Sequence, residues 1–294
     1  MISKPPGASR LCNIESTVMM RMKKYQLPLF VLMVSVTFAA AQTITLRKYA
    51  GNLKVVEVTI GTETYPFLFD TGGGDMFITP ELCGLIGKRA YGQLSGYRMN
   101  GEMIKFSRID ALSFMIGSEQ LFCPEVGVWD LMKLLPPAFP KIYGVVSLKS
   151  FHDRCIRLDL RESRITILDK HDQKIAAGSM TELPVVFSTG VSGQELNVFL
   201  PVSWQGTKYH FLFDTGNIDK VLVSRINAID SNLQADSTTT GRKELGKIPI
   251  EIAHFQDSLD AASTDIIYDG VLGFEFIARH VFILDLKAKR VWMK

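Results

Sequence analysis

Phe67-Leu68-Phe69-Asp70-Thr71-Gly72 and Phe211-Leu212-Phe213-Asp214-Thr215-Gly216 are one six-residue string, used twice in a chain of 294 residues. Each copy runs an apolar, strand-type tripeptide into an Asp-Thr-Gly turn. A single Asp-Thr-Gly carries little information, because a tripeptide of common residues recurs by chance. Two copies behind the same apolar tripeptide place Asp70 and Asp214 at equivalent ends of two similar units, which is how a chain builds facing carboxylates. The bland alternative is a pair of strand-end aspartates that brace backbone amides in their own turns.

The repeat extends well beyond the hexamer. Tyr143-Gly144-Val145-Val146-Ser147, followed by Cys155-Ile156-Arg157-Leu158-Asp159-Leu160, aligns without a gap against Asp269-Gly270-Val271-Leu272-Gly273 and Val281-Phe282-Ile283-Leu284-Asp285-Leu286. Arg164-Ile165 then falls opposite Arg290-Val291. Each half reads as an apolar strand, an Asp-Thr-Gly turn, a variable middle, an apolar-Gly-apolar-apolar segment, and a strand carrying Leu-Asp-Leu. Asp159 and Asp285, each near a strand end in both halves, suit a structural hydrogen bond or an exposed position better than catalysis.

These motifs resemble the aspartic proteases of the pepsin and retropepsin type, over most of the chain after the first forty or so residues. The resemblance implies an all-β, bilobal fold of two related barrel-like lobes with few short helices. Each lobe would supply one Asp-Thr-Gly loop and one Gly segment threading behind it, here around Gly144 and Gly270. Asp70 and Asp214 match the catalytic aspartates. Thr71 and Thr215 would bridge the two loops through their hydroxyls, and Gly72 and Gly216 would let the backbone pass close to the carboxylates. The compact spacing is closer to a retropepsin-like unit, duplicated and fused in one chain, and a monomer is expected.

Composition fits this reading. At 47% hydrophobic the chain is rich enough for one or two cored domains. Five Lys or Arg and one Glu of the net +3 charge fall within the first 41 residues, leaving 28 basic against 29 acidic side chains beyond them. Such a balance points to neither a nucleic-acid partner nor an anionic membrane. The early basic residues Arg21, Lys23 and Lys24 precede an uncharged run from Leu27 to Ala41 that ends in Ala39-Ala40-Ala41, the layout of a secretory signal. The competing reading is a membrane anchor, for which about 20 apolar residues are needed. Cleavage before Gln42 and a periplasmic or secreted protein are therefore expected. Initiation at Met20 or Met22 would give a more usual signal, so Met1 is read as a misassigned start and Cys12 as outside the protein.

The domain reading is residues 1–41 as signal with an N-terminal extension, 42–170 as first lobe, 171–180 as a charged, breaker-rich connector, and 181–294 as second lobe. Strands are expected at Thr43–Leu46, Lys54–Ile60, Tyr65–Phe69, Asn197–Val202 and Tyr209–Phe213, and short helices at Pro80–Gly87, Val128–Leu135 and Ser224–Ser231. Asp236–Thr240 reads as a polar loop. Three cysteines follow the signal: Cys155, opposite Val281 in the repeat, suits a small buried apolar group, whereas Cys83 with Cys123 is the better disulfide candidate. The histidines are scattered without metal-ligand spacing, so neither a metal nor another cofactor is expected. Gly72-Gly73-Gly74 lacks the Lys-Ser/Thr of a phosphate loop, and Thr189–Gly193 reads as a surface turn rather than a nucleophile elbow.

Amide hydrolysis without metal or covalent intermediate needs an activated water and a proton for the carbonyl oxygen. Two carboxylates about 3 Å apart cannot both ionise readily and so share a proton, an effect for which the aspartic-protease dyad is itself the standard illustration. The dyad titrates as a pair, so Asp70 and Asp214 receive no fixed roles from sequence. Two departures from the family pattern bear on activity. Where pepsin-type enzymes usually place Ser or Thr after the Gly, this chain has Gly73 and Asn217, and Asn217 is expected to donate a hydrogen bond favouring ionised Asp214. Gly96-Tyr97-Arg98-Met99-Asn100-Gly101 has the Gly spacing of a hairpin tip, with Tyr97 as the flap candidate and an ordinary surface hairpin as the alternative. Two functions stay open: an exported aspartic endopeptidase acting on polypeptides, or a catalytically silent relative that binds a peptide or glycan or inhibits an enzyme.

Overall fold

The computed structural model describes residues 42–190, 193–231 and 241–294; the signal-like segment, Cys12, Val191-Ser192 and the polar loop Asp236–Thr240 lie outside the described residues. The described residues belong to one compact unit, built from three sheets. Two of these close on themselves. In the first half, Lys54–Ile60, Glu63–Phe69, Gly144–Val146, Phe77–Ile78, Glu119–Val128 and Met103–Ile116 are successive neighbours, and Val58 pairs back to Ile116 to complete a barrel. In the second half the same circuit is made by Asn197–Trp204, Thr207–Phe213, Gly270–Leu272, Val221–Ser224, Phe255–Thr264 and Lys243–Ile252, closed by Ser203 opposite Glu251. Strand alternation fills the barrels: Val198, Leu200, Val202 and Trp204 point inward on one strand, and Ile248, Ile250 and Ile252 on another.

The repeated Gly of each half has a steric cause. The hexamer strand lies parallel to the Gly segment, with Phe67 opposite Gly144 and Phe211 opposite Gly270. A Cβ at Gly144 would lie 2.4 Å from the Phe67 ring, and one at Gly270 would lie 2.5 Å from the Phe211 ring. The first Phe of the hexamer and the Gly behind it are thus one packing unit, written twice. The same pairing holds each Asp-Thr-Gly turn, because the Asp70 and Asp214 amides donate to the carbonyls of Val146 and Leu272, both at 3.0 Å.

The third sheet joins the halves. Its strand order is Gln42–Thr45, Arg164–Leu168, Cys155–Asp159, Val281–Asp285, Arg290–Met293 and Thr181–Leu183, so each half contributes three equivalent strands in mirrored order. At its centre the Leu-Asp-Leu strands pair antiparallel, Cys155 with Asp285, Arg157 with Ile283 and Asp159 with Val281. Because position 155 corresponds to 281, 157 to 283 and 159 to 285, this register is self-complementary, as a two-fold relation requires. The repeated aspartates brace the turns after their strands: Asp159 accepts from the Glu162 amide at 3.1 Å and Asp285 from the Ala288 amide at 2.8 Å. A continuous apolar core runs through both barrels and this sheet.

Several local expectations change. The helix expected over Val128–Leu135 is only a 3-10 turn at Leu131–Leu134, because Val128 is already committed to its barrel strand and Pro136-Pro137 stops propagation. The connector contains a helix, Lys170–Ala177, capped by the Asp169 carboxylate on the Asp172 amide at 2.7 Å. No Cys83–Cys123 disulfide forms. Cys83 lies in the helix Pro80–Leu85 and Cys123 on a barrel strand, and both are buried free thiols, as is Cys155. Burial pushes the Cys123 and Cys155 thiols up to about 12, keeping them protonated. Cys155 packs beside Ile283 and Trp292 as a small apolar group.

Candidate active site

The two Asp-Thr-Gly turns meet where the barrels abut. Thr71 and Thr215 are buried and exchange hydrogen bonds across the junction: the Thr71 amide donates to Thr215 Oγ1 at 3.0 Å, and the Thr215 amide to Thr71 Oγ1 at 2.9 Å. The hydroxyls reach one strand further back, Thr71 Oγ1 donating to Phe213 O at 2.9 Å and Thr215 Oγ1 to Phe69 O at 3.3 Å. This four-bond lattice fixes the strand ends bearing Asp70 and Asp214. Each Gly sits against the opposite carboxyl: a Cβ at Gly72 would fall 2.3 Å from Asp214 Cγ, and one at Gly216 2.7 Å from Asp70 Cγ.

Asp70 and Asp214 lie within hydrogen-bonding reach of each other at the floor of the cleft. The Gly72 amide donates to Asp70 Oδ1 at 2.9 Å; the Gly216 and Asn217 amides donate to Asp214 Oδ1 at 2.7 and 3.2 Å. Burial raises the Asp70 pKa, opposed by its hydrogen bond with Asp214 and by backbone amides. For Asp214 the pKa is raised well above the usual carboxylate range, first by burial and then by the charge of Asp70 beside it. The pair therefore retains one proton to higher pH than isolated carboxyls would.

Asn217 differs from expectation in how it acts. Only its backbone amide touches Asp214; its side chain braces the turn itself, Nδ2 donating to Lys220 O at 3.2 Å and Oδ1 accepting from the Asp219 amide at 3.3 Å.

Above the dyad is a cavity of about 210 Å³ whose walls include Tyr97, Met99, Trp129, Leu212 and Tyr268. Its cover is the hairpin of Tyr91–Tyr97 and Met103–Ile116, which carries Tyr97. The tip is closed by the Arg98 amide on Glu102 O at 2.9 Å and reaches the other lobe, where the Ile267 amide donates to Met99 O at 3.0 Å. Met99 also packs against the second-lobe apolar cluster of Leu212, Leu222, Ala262 and Val271. The hairpin thus spans the cleft. A wider depression of about 600 Å³ on the second barrel, lined by residues such as Gln205, Glu251 and Asp257, shares no lining residue with the dyad cavity.

Met99 falls in the hairpin tip read from sequence around Tyr97, but sequence reasoning missed Trp129, Tyr268, Glu195 and Asn197, all of which wall the dyad cavity or its extension. They sit in the variable middle of each half or beside the motifs, where no repeat marks them. It also missed a buried ion pair beneath the first loop, Lys149 Nζ to Asp75 Oδ1 at 2.8 Å.

No family model matches the sequence, and the search of curated proteins returns no relative. Among solved structures, basic 7S globulin from soybean is similar with a TM-score of 0.56 at 9% identity, covering 86% of this chain and 96% of that one. Conglutin gamma, a basic 7S globulin from lupine seeds, gives 0.53 at 10% identity, covering 86% and 94%. The fold is the bilobal aspartic-protease-like fold. Likeness at this identity extends to architecture and stops there.

Proposed function

We propose that the chain is an exported aspartic-type endopeptidase. The observation that carries this reading is the placement of Asp70 and Asp214 within hydrogen-bonding reach on two turns locked by the hydrogen bonds exchanged between Thr71 and Thr215, where burial favours retention of a proton by the pair. A peptide enters the cleft under the Tyr97 hairpin with its scissile carbonyl over the dyad. The ionised carboxylate takes a proton from a water between the two groups, and that water's oxygen attacks the carbonyl carbon. The protonated partner gives its proton to the carbonyl oxygen, so the intermediate is a neutral gem-diol. Return of a proton to the amide nitrogen breaks the C–N bond, releasing an acid and an amine and restoring the shared proton. Thr71, Thr215, Gly72 and Gly216 hold the carboxyls in place, and no cofactor takes part in this scheme.

The test is hydrolysis of a diverse peptide library by the purified chain from about pH 3 to 8, beside Asp70→Asn and Asp214→Asn. Activity should be bell-shaped in pH, lost on the alkaline side when the second carboxyl ionises, and abolished by either substitution. A statine-type mimic, with a hydroxyl in place of the attacking water, should bind wild type far more tightly than either variant. Cleavage that survives both substitutions defeats the proposal. Export is tested separately by sequencing the native N-terminus, expected near Gln42.

A second reading has its own support. The similar solved structures are named as globulins rather than as enzymes, which favours a silent protein that uses the cleft to bind a peptide or glycan or to inhibit an enzyme. Absence of cleavage with every peptide, together with no affinity for the mimic, would select it.

A further inference from the structure

A second, smaller cavity of about 70 Å³ opens beside the dyad, sharing Gly72, Gly73, Phe77, Tyr97, Ile104 and Tyr268 with the first. Its lining combines apolar Phe77, Ile104 and Phe106 with polar Asp75, Glu195 and Asn197. Glu195 is seated there between two glycines: a Cβ at Gly190 would lie 2.4 Å from its Cδ, and one at Gly74 would lie 3.1 Å from its Oε2. The space that holds this carboxylate exists because neither position carries a side chain. Asn197, only 4% exposed, donates Nδ2 to Glu195 Oε2 at 2.8 Å and leaves its own Oδ1 buried without a partner.

The local charges do not cancel. Asp75, the other carboxylate in the wall, is matched by Lys149 at 2.8 Å. Glu195 takes part in none of the ion pairs among the described residues. Tyr268 lies between the two cavities; burial, then the charges of Glu195 and Asp214, push its phenol up to about 12, so it remains neutral and can only add dipoles. A carboxylate that no cation among the described residues matches, in a cavity also walled by Phe77, Ile104 and Phe106, asks for an amphipathic side chain with a cationic tip.

We propose that this cavity, walled by Phe77, Ile104 and Phe106 and carrying the Glu195 carboxylate, is a subsite for a Lys or Arg side chain of a polypeptide lying across the dyad. The stem lies along the aromatic and aliphatic walls, and the cationic head meets the Glu195 carboxylate, which the Asn197 side-chain amide holds in place. The inference deepens the peptidase reading and rests on it for cleavage, although binding alone can be read without turnover.

The experiment uses peptide pairs that differ at one position, Lys against norleucine and Arg against citrulline, scanned along a fixed sequence. Wild type and Glu195→Gln are compared in kcat/KM, and in Kd for versions with a hydroxyl isostere in place of the scissile bond. At one position wild type should favour the basic member by about tenfold or more, since a charge-assisted hydrogen bond replaces an unmet one. In Glu195→Gln that ratio should fall toward unity. Absence of a preference in wild type, or a preference unchanged in Glu195→Gln, overturns the subsite while leaving peptidase activity intact. A Glu195-dependent preference in Kd with no cleavage of any peptide supports the subsite and defeats the peptidase reading. Neither cleavage nor preference defeats both. Should Glu195→Gln fail to melt cooperatively, the wild-type ratio is followed with ionic strength: a decline with added salt supports the charge pairing, and a constant ratio overturns it.

Discussion

The loops Asp70–Asp75 and Asp214–Asp219 are sequence equivalents with opposite electrostatic settings. Both begin with Asp-Thr-Gly and end in an aspartate, yet Asp75 is buried and paired with the buried Lys149, whereas Asp219 is half-exposed and bonded to Arg242. Burial raises the Asp75 pKa in spite of Lys149; the Arg242 hydrogen bond lowers that of Asp219. The residue matching Lys149 in the second half is Glu275, which instead forms a surface ion pair with Arg279. One duplicated turn is therefore held from inside the first lobe and from the surface of the second. The Asp-Thr-Gly geometry is shared because the threonine lattice and the opposed glycines demand two-fold symmetry, while the shoulder of each loop is free to diverge.

The largest effect should come from breaking the buried shoulder. Lys149→Met leaves Asp75 uncompensated and should cost about 3–5 kcal/mol in urea unfolding. Arg242→Met, at the equivalent exposed pair, should cost under about 1 kcal/mol. Adding Asp75→Leu to Lys149→Met should restore most of the loss; equal costs at the two sites would dissolve the comparison.

The shared part of the turn is tested by Gly72→Ala and Gly216→Ala. Each methyl drives into the opposite carboxyl, so on the proposed peptidase reading hydrolysis should fall by about 100-fold or more with the fold retained, because reacting groups shifted by about 1 Å lose that much. Next in size is Thr71→Val, which leaves the Thr215 amide unmet and should cost about 1–3 kcal/mol.

The smallest effect carries a sign. A carboxyl with a raised native pKa binds its proton more tightly folded than unfolded, so its contribution to stability falls as pH rises from the unfolded value, about 4, to the native one. Asp214→Asn removes that penalty. The variant should melt a few degrees above wild type at neutral pH and level with it below the unfolded pKa. A gain confined to acid pH would reverse the assignment.

Much of this molecule could be read from its repeats. The hexamers, Gly144 and Gly270, and the Leu-Asp-Leu strands are constrained by contacts that occur twice, so physics writes them twice. Features that occur once left no such mark. Lys149 sits in an apolar stretch where only the position of Asp75 makes a lysine intelligible. The helix Lys170–Ala177 buries no residue and so shows no apolar stripe. Met99 reaches the second lobe through a backbone hydrogen bond to Ile267, a contact between residues far apart in sequence. Glu195 is placed by the absence of side chains at Gly74 and Gly190, which no local pattern reveals.

The shared proton of Asp70 and Asp214 is the central claim, and carboxyl 13C NMR of the aspartates reads it without need of a substrate. In wild type, one ionisation of the pair should be displaced well above the ordinary value of about 4, and in Asp70→Asn the remaining Asp214 should titrate lower than that displaced step, because the neighbouring charge has gone. Two independent titrations near the ordinary value in wild type, unchanged in the variant, would contradict it.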